Sequence, residues 1–104
     1  MSEKKLIEAL TTVCEWAKSE SVGFEWLTHE GHWRRPEIIA VFKTEKQKSE
    51  ALSTNWNQAF EHELDNVCPE LKVHIKGVRY DSEQACTLQS NGNWERHLKR
   101  RAFH

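Results

Sequence analysis

The sequence predicts a small α+β domain, a two-layer sandwich in the order α-β-β-α-β-α whose mixed sheet of three strands carries its helices mainly on one face. Three observations lead there. The chain is 104 residues long, the size of one ordinary domain, so residues 1–104 are expected to fold as a single unit with a basic C-terminal helix over 91–104. The apolar spacing switches repeatedly between a helical period and a period of two. The long middle helical run stands between two strands, so a right-handed crossover sets it on the same face as the first helix.

Each element has its own warrant. Leu6, Leu10, Val13 and Ala17 recur at helical steps over residues 3–20, with Glu3, Lys4, Glu8, Glu15 and Lys18 opposite and Ser2 as N-cap. Val22, Phe24 and Trp26 then alternate with Glu25, which predicts a strand in which Leu27 is the exception. An eight-residue loop from His29 to Pro36 is long for a hairpin and exposes Glu30, Arg34 and Arg35. Glu37–Lys43 is apolar on both faces and reads as a central strand.

Thr44 opens the second helix, with Gln47 completing a capping box. Leu52, Trp56, Ala59 or Phe60, Leu64 and Val67 keep helical spacing until Cys68-Pro69 ends it. Ser53-Thr54-Asn55 is poor helix sequence, and the run either continues through it or splits there with Ser53 or Thr54 as a new cap. Leu71–Lys76 alternates strictly, predicting a third strand with Leu71, Val73 and Ile75 inward; Val78 and Tyr80 resume the alternation after Gly77, read as a bulge. Asp81 caps a short turn through Gln84. After the Ser90-Asn91-Gly92 turn, Asn93 caps a last helix with Trp94, Leu98 and Ala102 on one side and Arg96, Lys99 and Arg100 on the other.

Composition narrows the functional classes. Leu, Ile, Val and Phe together supply about 21% of the residues, close to the disordered range, but a net charge of -1 offers no self-repulsion and five Trp add apolar area. The chain has no 18-residue apolar run and no signal region, so a cytoplasmic protein without membrane association is expected. Cys14, Cys68 and Cys86 are odd in number and widely spaced, which excludes a disulfide framework or zinc ribbon and leaves reduced thiols. His29 and His32 flank Glu30 and form the one local metal candidate. They lack a third ligand at a recognisable spacing, and H-E-G-H cannot place both imidazoles one helical turn apart as H-E-x-x-H does. No cofactor is expected.

The stretches Leu10–Glu15, Gly23–His29, Val41–Thr44 and Tyr80–Cys86 resemble a group of small bacterial proteins of unknown function, some labelled Fis-type transcriptional regulators. The resemblance implies a stand-alone bacterial protein and supplies no active site. The label implies a C-terminal helix-turn-helix, which needs two successive helices. The sequence predicts one, Asn93–Arg101, after a strand and a turn, so the label is not adopted.

Three readings of function follow. The preferred one is a non-enzymatic protein-interaction or assembly domain, homodimeric, joined to itself or another protein through an open sheet face and through Trp33, Arg34, Arg35 and Phe103. The second is a nucleic-acid-binding accessory protein. Arg96, Lys99, Arg100 and Arg101 against Glu95 give the last 14 residues +3, leaving residues 1–90 with 11 basic and 15 acidic residues, or -4. The third is a small metal-dependent enzyme, for which Glu25, Glu37 and Asp81 near strand ends are the available carboxylates and no catalytic motif stands out.

Overall fold

The computed structural model describes residues 3–67 and 73–102, with side chains described through Leu98. Its elements are α1 (Glu3–Ser19), β1 (Phe24–Glu30), β2 (Glu37–Phe42), α2 (Glu45–Ser53), α3 (Trp56–Val67), β3 (Gly77–Ser82), α4 (Glu83–Ser90) and α5 (Trp94–Ala102). The sheet order is β1-β2-β3, with β2 antiparallel to β1 and parallel to β3. This is the predicted α+β class with its small mixed sheet.

The central strand organises both layers. Ile38, Ala40 and Phe42 of β2 point into the larger core, where Leu6, Leu10, Val13 and Ala17 of α1 meet Trp56, Phe60 and Leu64 of α3. Ile39 and Val41 point the other way, into a smaller cluster with Leu98 of α5, flanked by Trp26 and Trp94. The larger core is aromatic at its centre: the rings of Phe24, Phe42, Trp56 and Phe60 lie 5.2 to 6.1 Å apart, and Trp16 stacks on Trp56 at 5.9 Å. Each such ring buries about 150–250 Å², which compensates for the scarcity of aliphatic residues.

The middle helix splits where its sequence is weak. Ser53 and Thr54 donate their hydroxyls back to the Glu50 carbonyl at 2.9 and 3.1 Å, ending α2, and Asn55 turns the corner at φ 64° before α3 starts. Ser53 and Thr54 thus close the first helix and do not open the second. The Thr44 cap is as expected, its hydroxyl accepting from Gln47 N at 3.1 Å.

Four expectations are corrected. First, the β1–β2 register shifts between Phe24 and Trp26, which makes Glu25 a bulge residue. The bulge reverses the facing, so Phe24 and Leu27 both reach the larger core while Trp26 enters the smaller cluster. Second, the connection after β1 is residues 31–36, because His29 and Glu30 are still paired with β2. Third, the third strand is Gly77–Ser82, and Gly77 begins it. Residues 73–76 run beside the β1–β2 connection, with His74 N and Lys76 N each donating at 2.8 Å to the Arg34 and Pro36 carbonyls. Val73 and Ile75 face the core as predicted, and Leu71 lies outside the described residues. Fourth, Ser82 caps a helix that the sequence reading had as a short turn: its hydroxyl accepts from Ala85 N at 3.0 Å and starts α4.

The sheet face away from α1 and α3 is not an open apolar surface. α5 covers one end of it, and the other end carries Glu30, Glu37 and Arg79. An apolar sheet-to-sheet dimer on this face is therefore disfavoured.

Candidate functional site

Among the described residues, three places bring polar or reactive side chains together beside a pocket or in the interior. The most buried is a chain of hydrogen bonds between β3, α4 and α5. His97 Nε2 lies 2.9 Å from Asp81 Oδ2, and its Nδ1 lies 3.1 Å from Ser90 Oγ. Asp81, Ser90 and His97 are no more than 2% exposed. The second Asp81 oxygen accepts from Ser82 N at 2.8 Å. An ionised carboxylate only accepts, so Nε2 carries a proton, and in the neutral ring Nδ1 accepts from the Ser90 hydroxyl. At the start of α4, Glu83 accepts from both indoles of the smaller cluster, Trp26 Nε1 at 2.5 Å and Trp94 Nε1 at 3.3 Å.

Serine, histidine and aspartate are the residue types of an acyl-transfer triad, but the geometry fits a structural role. A nucleophile must meet its substrate, and the Ser90 hydroxyl is sealed beneath the α4–α5 turn. Cys86 in the same region is buried as well. Burial pushes its thiol pKa up, and the nearby Glu83 and Asp81 carboxylates act in the same direction, so it stays a protonated thiol at neutral pH.

The second place is the end of the sheet at the β1–β2 connection. Glu30, His32, Arg35, Glu37 and Lys76 line an open hollow of about 550 Å³. Arg79 crosses the strands beside it, Nη2 3.1 Å from Glu30 and Nε 3.0 Å from Glu37. The acids are thus engaged by Arg79. Trp33 is half-buried and packs against the larger core, with Arg34 5.1 Å above its ring and His32 stacked at 5.9 Å. It is a packed loop residue with less free surface than an interface anchor needs, while Arg34 and Arg35 are exposed. Phe103 lies outside the described residues.

The third place is a groove of about 400 Å³ between α1 and the outer edge of β1, with Ile7, Leu10, Cys14 and Leu27 as its apolar lining and Lys18 and His29 at its rim. Ile7 is half-exposed. Among the described residues no strand pairs with the outer edge of β1. Nothing in the sequence marked this groove, because Ile7 sits one position from the buried stripe and reads as its continuation.

The metal candidates do not converge. His29 turns toward α1 and meets Glu3 Oε2 at 3.2 Å, while His32 Nδ1 accepts from Arg34 N at 3.1 Å. No group of three His, Cys, Asp or Glu able to hold a metal ion occurs among the described residues. Glu25, Glu37 and Asp81 are likewise apart: one is the exposed bulge residue, one pairs with Arg79 and one is buried on His97.

The C-terminal region overturns the argument made against a helix-turn-helix. α4 and α5 are successive helices joined by residues 91–93, with Asn91 and Gly92 at positive φ and Asn93 Oδ1 accepting from Arg96 N at 3.0 Å. α4 was missed because it has only eight residues, five of them polar. Arg96 is exposed; Lys99, Arg100 and Arg101 lie on α5, and their side chains are outside the described set.

No helix among the described residues is long and apolar enough to cross a membrane. Compared with family models, with curated proteins and with solved structures, the chain matches none.

Proposed function

We propose that this protein is a non-enzymatic protein-interaction domain of the cytoplasm that binds its partner along the α1–β1 groove. The observation that carries this reading is the combination of a strand edge unpaired among the described residues with an apolar floor. Free edges are usually shortened, charged or covered, because their backbone groups template further pairing. The Glu25 bulge interrupts only the start of β1, and Trp26–Glu30 stays regular, its Leu27 lining the groove with Ile7 and Leu10 of α1. A partner that adds to this edge gains main-chain hydrogen bonds and an apolar contact together.

The test is site-specific photo-crosslinking in cells. A crosslinker at Ile7 or Thr11 is expected to give discrete protein adducts, whereas one at Leu88, 75% exposed on α4, gives none of comparable yield. Equal yields at all three positions would remove the groove from consideration.

A second reading rests on the α4–turn–α5 unit. Its second helix is the basic one, and Trp94, His97 and Leu98 anchor it while Arg96 faces solvent, as a groove-inserted helix requires. Arg96→Glu together with Lys99→Glu should abolish retention on immobilised duplex DNA at low salt. If the unaltered protein is not retained, or if its retention ignores salt between 50 and 200 mM, this reading fails, since phosphate binding falls steeply over about that range.

A further inference from the structure

Four positions on the outward side of α1 are self-complementary when the helix is reversed. Glu3, Ile7, Cys14 and Lys18 are spaced by four, seven and four residues, which keeps them on one side of the helix, with Thr11 between them. All but Glu3 line the groove, and Glu3 reaches it through its contact with His29. Reversing the stripe exchanges acid for base at its ends and one apolar side chain for another inside them. With the midpoint between Leu10 and Thr11, position 3 maps onto 18 and position 7 onto 14.

From this symmetry we propose that the groove is filled by a second copy of the chain, related by a two-fold axis normal to the sheet. The proposal rests on the interaction reading above and names its partner. The two α1 helices then run antiparallel with Glu3 of each beside Lys18 of the other and Ile7 beside the partner's Cys14. The same axis sets the two β1 edges antiparallel, which joins the sheets edge to edge. Thr11 and Cys14 are small enough for close helix approach. Such an interface is isologous, so each favourable pair occurs twice. Glu3 is 57% exposed and its bond to His29 leaves it accessible to Lys18 of the other copy.

Ile7→Cys provides the test. Along one helix, positions 7 and 14 are about 10 Å apart, beyond the roughly 4.4–6.8 Å that a disulfide spans, so they cannot bond within one chain. In a Cys68→Ser, Cys86→Ala background, mild oxidation of Ile7→Cys is expected to give a covalent dimer. Further replacement of Cys14 by Ser should abolish it. A dimer that persists without Cys14 means a different register and overturns the proposal, as does a monomeric sedimentation profile of the unaltered protein at about 0.5 mM.

Charge reversal supplies a second readout. Glu3→Lys or Lys18→Glu alone should weaken dimerisation about tenfold, and the double reversal should restore it. Failure of the restoration also refutes the pairing. If the pure protein is monomeric while position 7 still crosslinks to a different protein in cells, the second-copy proposal falls and the interaction reading stands. If position 7 crosslinks to nothing, both fall.

Discussion

Replacing Asp81 by alanine tests whether the buried polar chain holds α4 and α5 to the sheet. The substitution leaves two buried donors, Ser82 N–H and His97 Nε2–H, without the acceptor that each now has at 2.8 and 2.9 Å. At about 1–3 kcal/mol per orphaned donor the loss is about 2–6 kcal/mol, and breaking a buried pair by removing one member costs about 3–5 kcal/mol. The expected value is about 4 kcal/mol, a large share of the roughly 5–15 kcal/mol that stabilises a domain of this size. Thermal unfolding should move down by about 16–32 °C. Urea unfolding followed by tryptophan fluorescence measures it directly, since Trp26 and Trp94 lie in the layer that would loosen. Changing His97 to leucine in the same protein removes the stranded donor, so the double variant should lose at least about 1 kcal/mol less than the two single losses added together. Additive losses, or a single loss below about 1 kcal/mol, would show that the chain is incidental to stability.

Gly23→Ala should lower the urea midpoint without changing the slope, by about 1–3 kcal/mol, because Gly23 has φ 88° and an added Cβ would sit 2.4 Å from Gln47 Cδ. Native-state labelling with a thiol reagent at pH 8 should modify Cys14, half-buried in the groove, and spare Cys86 until the protein unfolds; equal rates would contradict the buried placement of Cys86. Stability should also fall at alkaline pH. The Cys86 thiol and the Tyr80 hydroxyl, which is partly buried and donates to Glu61 at 2.8 Å, both titrate higher folded than unfolded, so the unfolded chain releases protons first. Their contribution is complete below about pH 8.5 and declines above it, more steeply past about pH 10. The Cys86→Ala, Tyr80→Phe double variant should flatten that decline in urea midpoints measured from pH 7 to 11.

The elements whose evidence is local were legible in the sequence. The four apolar positions of α1, the doubly apolar β2, the Thr44 and Asn93 caps and the weak Ser53–Asn55 segment each carry their signal within one or two turns of chain. The third strand was misplaced for a physical reason: two alternating runs, one through Val73 and Ile75 and one through Val78 and Tyr80, flank Gly77, and a period of two cannot say which part of an extended segment meets β2. The bulge at Glu25 was hidden because an inserted residue changes facing without changing composition. Ser90 and His97 were missed because each reads as an ordinary polar residue near a turn, and only the meeting of three separate elements makes them a buried chain. The α1–β1 groove is also tertiary in origin, since it depends on which strand ends up at the sheet edge.

The parallel pairing of β2 with β3 has a consequence for the order of assembly. β1 and β2 are neighbours in sequence, whereas Glu37 meets Gly77 forty residues further on, after α2 and α3 have been placed. Closing that long loop costs entropy before it is rewarded, so the hairpin and its helices are expected to form first and β3 with α4 and α5 to dock late, an order that φ-values measure. Interactions absent from the transition state act on the unfolding rate. On that order the Asp81–His97–Ser90 chain is a latch on the lifetime of the native state, and Asp81→Ala should speed unfolding while leaving the speed of folding nearly unchanged in stopped-flow measurements.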